Sequence, residues 1–313
     1  MRPTTHEGML QMTFLTVLLS LFVERVLPQY RPGRRFRWFD GYCRRLATGS
    51  FGEWLVTRPW GVAAILLPPL LLIAWLQAFF AELGGLFELA FGGVVLLYSL
   101  GPRDIGDEAE AFVAARDGGM DERADSLAQA LCLTAPPTGE PRRSFGVARA
   151  IVVLASRRLV APIFWFVILG PFGAAAYRGI VLLSEHLRRG DYPEQTKHYG
   201  EEMRRLADWA PARVTAAGYA IAGNFDAVAH AWRSLAHTVD EGPLTEAERL
   251  LANTGLAALD TFPENADDLE AGTTSVLGTA APPVVEDALA LVWRSLAVLI
   301  AIIAGGSLVA ALA

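Results

Sequence analysis

The stretch RRLVAPIFWFVILGPFGAAAYRGIVLLSEH, residues 157–186, decides how the rest of the chain is interpreted. Its apolar part, residues 159–183, is long enough to cross a bilayer, which takes roughly 20 apolar residues. Two features interrupt it, a Gly-Pro step at residues 170–171 and one cation, Arg178, at membrane depth. An ionisable side chain at that depth is costly and usually faces protein or water, so Arg178 marks a candidate ligand site. The alternative is that Arg178 only extends to the membrane surface.

Composition indicates a membrane protein. The chain has 313 residues, of which 53% are hydrophobic and 19% charged, and its mean hydropathy is +0.33. An ordinary soluble domain has about 25% charged residues. The net charge is −6, and arginine supplies nearly all the positive charge because Lys197 is the only lysine. Cys43 and Cys132 lie far apart without CxxC spacing, which predicts neither a disulfide framework nor a zinc site.

The hydropathy pattern predicts an all-α integral membrane protein with about four to five membrane helices, one of them broken or re-entrant. Polar and amphipathic cytoplasmic helices complete a single domain over residues 1–313. The approximate membrane segments are 10–26, 60–83, 86–101, 159–183 and 288–312, and the polar helical insertions are 103–147 and 225–283. The pair Pro68-Pro69 is expected to kink the second span. Basic residues flank both ends of 159–183, so a single span and a re-entrant helix broken at Gly170 both stay open.

The connector Arg31–Arg58 is rich in arginine and aromatic residues. Such a composition beside a membrane helix suits anionic lipid headgroups, which we expect as its partner, and not nucleic acid. The excess of arginine places the connector on the cytoplasmic side. We therefore expect the chain to cross a membrane several times.

Two polar constellations could bind a ligand. The first surrounds the central stretch and consists of Tyr177, Arg178, Glu185, His186, Asp208 and Arg213. A cation and carboxylates near a membrane interface could hold a phosphate or a carboxylate, and the alternative is ion pairing between helix ends. Asp208 is also expected to cap the start of a helix that has Pro211 in its first turn.

The second constellation has helical spacing on a predicted amphipathic helix, residues 225–238. It consists of Asp226, His230, Arg233 and His237. These side chains could bind a metal or an anion, but they more simply form the solvated face of the helix. A capping box is predicted at Thr245–Glu248, before the next helix.

Motifs of nucleotide and hydrolase chemistry are absent from the sequence. It contains no GxxxxGK[ST], no GxGxxG after a strand, no GxSxG and no HExxH. No catalytic residue and no metal ligand is therefore predicted, and no cofactor is indicated.

Three motifs resemble the AmpE family, the inner-membrane regulatory proteins associated with inducible β-lactamase. They are MTFLTVLLSLFVER (12–25), APIFWFVILGPFGAAAYR (161–178) and ADWAPARVTAAGYAIAGNF (207–225), accompanied by LYSLGPRD (97–104). The resemblance covers residues 12 to about 259. It implies a sensor in the bacterial inner membrane that acts in the response to β-lactam antibiotics and is linked to peptidoglycan recycling. We expect its ligand to be an anionic cell-wall or nucleotide-linked metabolite that binds near Arg178. It brings no set of catalytic residues.

The same motifs resemble the larger CobD/CbiB family of cobalamin biosynthesis, the adenosylcobinamide-phosphate synthases. That family carries a polar AEN-type motif just before APxFW, and an Arg-Asp step after the second polar helix. This chain has Ala155-Ser156-Arg157-Arg158 at the first position and Cys132-Leu133-Thr134 at the second. The departure favours the AmpE branch and leaves a synthase-like enzyme as the alternative. A transporter is a third possibility, although only one discontinuous helix is evident where paired ones are expected.

Overall fold

The protein is described by a computed structural model. It describes residues 15–20, 36–47, 58–100, 105–132, 134–136, 139–140, 142–235, 244–259 and 284–312. These residues form helices and turns, with no strand among them, which confirms the predicted all-α class. Most of the predicted segment 10–26, the connector residues 31–35 and 48–57, and the acidic stretch 260–283 lie outside the described residues.

We number the helices in chain order, after a short helical segment at residues 15–20. Their bounds are α1 Arg37–Ala47, α2 Pro59–Ala64, α3 Leu67–Leu83, α4 Gly85–Ser99, α5 Ile105–Asp117, α6 Asp121–Leu131, α7 Arg142–Ala155, α8 Ala161–Arg189, α9 Glu194–Ala222, α10 Phe225–Leu235, α11 Glu246–Ala258 and α12 Val284–Leu312. A π-helical turn, Ser156–Val160, joins α7 to α8.

Three helical stretches are long and apolar enough to cross a membrane. They are Trp60–Leu83, Arg142–Arg189 and Val285–Gly306, and the apolar helix α4 is shorter. The stretch Trp60–Leu83 coincides with the predicted second span, but its two prolines do not kink it as predicted. The helix is interrupted at Ile65-Leu66, and Pro68-Pro69 lie in the first turn of α3, where a proline loses no hydrogen bond. The prolines thus begin a helix instead of kinking one.

The chain divides into two compact units. Unit 1 comprises residues 1–102, 158–211 and 300–313, and unit 2 comprises residues 103–157 and 212–299. The prediction of one membrane domain over residues 1–313 stays a prediction.

In unit 1, the amphipathic helix α1 packs on the other helices through its apolar face. Phe36, Phe39 and Cys43 recur at helical spacing and are buried against Leu66, Leu183 and other apolar residues. Burial and the nearby carboxylate of Asp40 raise the pKa of the Cys43 thiol to about 12. Cys43 therefore behaves as a small core residue.

In unit 2, the predicted polar hairpin is present as α5 and α6, with Ala109, Phe112 and Ala124 fully buried. The buried guanidinium of Arg143, at the start of α7, ties this hairpin down. It donates to Asp121, Asp125 and Glu140 at 2.8, 2.6 and 2.9 Å. A buried charge needs such partners, so Arg143 fixes α6 to α7.

Helix α11 forms the centre of unit 2, and its start is the predicted capping box. The Glu248 amide donates to the Thr245 hydroxyl at 3.3 Å, and the Thr245 amide donates to the Glu248 carboxylate at 2.6 Å. The Asn224 amide donates to the Ala258 carbonyl at 3.2 Å, which ties the start of α10 to the end of α11.

The prediction that a helix begins at Asp208 is wrong. Helix α9 runs without interruption from Glu194 to Ala222, with Pro211 inside it, and ends before Gly223. Proline has no amide hydrogen and therefore frees the carbonyl four residues earlier, that of Ala207. The indole N–H of Trp165 donates to this carbonyl at 3.1 Å. This tertiary contact thus permits a proline in the middle of a helix, whereas local sequence rules predict it in the first turn.

Candidate functional site

The central stretch is a helical hairpin, a feature of unit 1. Gly170 has φ 67° and ψ −157°, a backbone region that is essentially restricted to glycine, and it breaks α8 into two arms. The arms approach closely: a Cβ on Gly173 would lie 2.2 Å from the carbonyl oxygen of Trp165. Ala161 in the first arm packs in one cluster with Tyr177 and Val181 in the second. The structure therefore contains the break at Gly170 on which the re-entrant alternative depends.

An amide side chain from α3 closes the tip of this hairpin. The amide of Phe172, which follows the break at Gly170-Pro171, donates to Gln77 Oε1 at 3.0 Å. Backbone groups at membrane depth must be satisfied inside the protein, and Gln77 does this. Sequence reasoning missed Gln77, although a lone amide in the 24-residue span Trp60–Leu83 was a visible signal.

Tyr177 and Asp208 meet in the interior of unit 1. The Tyr177 hydroxyl donates to Asp208 Oδ1 at 2.8 Å, and both side chains are buried. The pair joins α8 to α9 beside the contact of Trp165 with Ala207. Two predicted site residues are therefore in contact, in an arrangement that stabilises the packing of the hairpin.

Arg178 points to a different neighbour. Its guanidinium lies over the ring of Phe36, 4.5 Å from the centroid, and its buried Nε has no hydrogen-bond acceptor in the part of the chain that the structure describes. Glu185 and Arg158 act on it electrostatically, with opposite signs. A buried cation that stacks on an aromatic ring and keeps a free donor has capacity for an anion.

Phe36 connects this cation to the surface. Its ring contacts that of Tyr98 edge-on, with 4.9 Å between centroids. The Tyr98 hydroxyl accepts a hydrogen bond from the Trp38 indole at 2.5 Å, and Trp38 is half exposed. A continuous row of aromatic contacts thus leads from Arg178 to the outer face of α1.

His186 and Glu185 lie toward the end of α8. His186 Nδ1 is 2.8 Å from Asp40 Oδ1, and its Nε2 is 3.0 Å from the Tyr192 hydroxyl. The imidazole therefore fastens α1 to the end of α8. Glu185 pairs with Arg189 at 3.2 Å on the surface of the same helix.

Arg213 belongs to unit 2 and pairs with Glu246 at 2.7 Å. The six predicted residues therefore take part in separate contacts and do not form one cluster. Tyr177 meets Asp208, and His186 meets Asp40, which the prediction did not include. The second predicted constellation lies on α10, where Asp226, His230 and Arg233 are exposed.

His237 lies outside the described residues. Among the residues that the structure does describe, no three metal-binding side chains come together. The exposed positions on α10 match the solvated face that the sequence favoured.

The segment that departs from the synthase motif is the π-helical turn at residues 156–160. Single π-turns are rare and often occur at functional sites. In unit 2, the Thr215 hydroxyl donates to the Ser156 hydroxyl at 3.0 Å, and the guanidinium of Arg157 lies 2.5 Å from the buried carboxylate of Glu248. The polar side chains at this position thus hold α7, α9 and α11 together.

Comparison with known proteins identifies the family. The family model described as regulatory signalling modulator protein AmpE matches residues 12–245, about three quarters of the chain. The chain belongs to the AmpE family. The match includes the broken helix, the proline in α9 and the aromatic residues of α1, and so covers every contact described above in unit 1.

Curated relatives of this AmpE-family chain carry a different name. A cobalamin biosynthesis protein CobD of Stutzerimonas stutzeri is 29% identical over 253 residues, which cover 75% of this chain and 78% of that protein. Another CobD, of Chromobacterium violaceum, is 29% identical over 237 residues, 70% of this chain and 72% of that protein. No solved structure matches the chain. The similarity to CobD that the motifs indicated is confirmed.

Proposed function

We propose that this protein is a membrane sensor that controls inducible β-lactamase in response to β-lactam antibiotics, through peptidoglycan recycling. The observation that carries the proposal is membership of the AmpE family, whose description is that of a regulatory signalling modulator. The location that fits this role is the bacterial inner membrane, crossed several times. Three candidate spans and one shorter apolar helix support that location.

The signal in this proposal is an anionic cell-wall or nucleotide-linked metabolite that binds near Arg178. Its support is physical: the guanidinium is buried between the hairpin and α1, and its Nε lacks an acceptor among the described residues. A guanidinium binds phosphate and carboxylate through two parallel hydrogen bonds. An anion there would compete with Phe36 for the guanidinium and would thereby change the position of α1.

The alternative is a membrane enzyme of the CobD type, supported by two relatives of that name that match over most of their length. The position of the polar synthase motif weighs against it. There the chain has Arg157, whose guanidinium is paired with the carboxylate of Glu248. This pair contributes to packing in unit 2 and leaves Arg157 little freedom to engage a substrate.

Gene deletion and complementation test the regulatory role. The gene is deleted in its host, and β-lactamase activity is followed as the concentration of an inducing β-lactam rises. We expect an altered induction curve that the wild-type gene restores. Arg178→Gln should fail to restore it, whereas Arg189→Gln, which removes an exposed arginine of the same helix, should restore it.

Two results would contradict the proposal. An induction curve that deletion leaves unchanged would exclude the regulatory role. A deletion strain that acquires a cobalamin requirement, and loses it again on complementation, would favour the enzyme. Full restoration by Arg178→Gln at normal protein levels would remove Arg178 from the sensing site and leave the regulatory role in place.

A further inference from the structure

An open groove lies on the outer side of α1 in unit 1. It is lined by Trp38, Gly41, Tyr42 and Arg45, and its volume is about 370 Å³. Gly41 leaves its floor open, because a Cβ there would meet nothing within 4 Å. Two aromatic residues, one glycine and one arginine thus surround a space that is large enough for a small polar group.

The contacts of α1 place this groove beside the beginning of a candidate span. The Tyr42 hydroxyl donates to the carbonyl of Ile65 at 2.8 Å, and Ile65 belongs to the span Trp60–Leu83. The opposite face of α1 is buried, so the helix cannot turn the groove inward. The groove therefore opens at the end of a helix that is long and apolar enough for a bilayer.

The surroundings have the composition of a membrane interface. Arg44 and Arg45 occupy the last turn of α1, and Arg58 lies over the ring of Trp60 at 6.0 Å. Trp38 and Trp60 are each about half exposed. Tryptophan and arginine together at the end of a span favour the headgroup layer, and clustered arginines favour anionic lipids.

We propose that this groove binds the headgroup of an anionic phospholipid. The Arg45 guanidinium donates to the lipid phosphate, and the rings of Trp38 and Tyr42 lie against the glycerol region. The acyl chains have an apolar helix next to them, since α3 exposes Leu67 and Leu71. The occupant is a lipid and not a soluble phosphate because the groove adjoins an exposed apolar span. This inference goes beyond the regulatory role and does not depend on it.

The test uses the full-length protein released from nanodiscs that contain equal parts of phosphatidylglycerol and phosphatidylcholine. Native mass spectrometry measures how many lipids of each class stay bound. We expect the wild type to retain phosphatidylglycerol in preference. Arg45→Gln should reduce this preference about fivefold, the effect of one basic residue near an anionic surface.

A second variant tests the groove without removing charge. Gly41→Leu fills the space and improves helix propensity, so it should fold and lose the retained lipid. Gly41→Ala adds only a Cβ that meets nothing, and should retain it. Arg123→Gln removes one exposed arginine from unit 2 and is the control for net charge.

Three outcomes would overturn the proposal. The first is an equal retention of both lipid classes by the wild type. The second is a preference for phosphatidylglycerol that is as strong in both Arg45→Gln and Gly41→Leu as in the wild type. The third is a loss in Arg123→Gln as large as in Arg45→Gln, because the preference would then follow overall charge and not the groove.

Discussion

The break at Gly170 allows a quantitative prediction about the hairpin in α8. In Gly170→Ala the new Cβ would lie 3.0 Å from Gln77 Nε2, and the backbone would keep a conformation with φ 67° and ψ −157°. Strain of this kind costs on the order of 1–3 kcal/mol. The close contact with Gln77 falls on the end of a flexible side chain and adds less. We expect a loss of about 2–3 kcal/mol in the free energy of unfolding.

Gln77→Leu removes the acceptor of the Phe172 amide without touching the glycine. Hydrogen bonds between membrane helices contribute about 0.6–2 kcal/mol, so this variant should lose roughly that amount. Unfolding in mixed micelles with increasing denaturing detergent measures both variants. In the double variant Gly170→Ala/Gln77→Leu the losses should add incompletely, because the contact between the new Cβ and the amide no longer exists.

Gly305→Ala is the matched control, since Gly305 lies in the apolar helix α12 and a Cβ there meets nothing within 4 Å. It should be neutral or stabilise the protein by up to about 1 kcal/mol, from helix propensity. If Gly170→Ala is as stable as Gly305→Ala, the strained break does not exist and the hairpin is refuted.

Three further predictions concern other contacts. Tyr177→Phe removes the hydrogen bond to the buried Asp208 and should lower the free energy of unfolding by about 1–2 kcal/mol in the same assay. Arg143→Met removes a buried guanidinium bonded to three carboxylates that are partly exposed; we expect a loss of about 2 kcal/mol and faster hydrogen exchange in α5 and α6. Burial raises the pKa of Cys43 to about 12 and that of Cys132 to about 11, so both thiols stay protonated at neutral pH. Maleimide labelling of the folded protein should therefore be slow at pH 7 and should increase with pH, first at Cys132.

The two substitutions have matched controls. Tyr192→Phe removes a partly exposed hydroxyl from His186 and should cost less than Tyr177→Phe. Arg142→Met changes the exposed neighbour of Arg143 and should stay within about 0.5 kcal/mol of the wild type. Labelling of Cys43 as fast as that of an unfolded thiol at pH 7 would contradict its burial. A loss for Arg142→Met equal to that for Arg143→Met would contradict the carboxylate cluster.

The sequence alone determined the class of the protein and the positions of some helix breaks and helix starts. Long apolar segments require helices in a bilayer, so the all-α membrane class follows from composition. Gly170-Pro171 gave the position of the break, since the freedom of glycine and the missing amide hydrogen of proline are local properties, but the sequence left an unbroken span open as well. The capping box predicted at Thr245 is local in the same way, and the structure contains it.

Only the tertiary structure decided what depends on distant partners. Pro211 lies inside α9 because Trp165, 46 positions earlier in the sequence, satisfies the carbonyl that the proline frees. At the break near Gly170, Gln77 accepts a hydrogen bond from the amide of Phe172, which lies 95 residues later in the sequence. Arg178 faces Phe36, the residue just before α1, a neighbour that no spacing rule indicates. Local rules describe a residue's own backbone, whereas unsatisfied hydrogen bonds and buried charges are resolved by whichever segment the fold brings beside them.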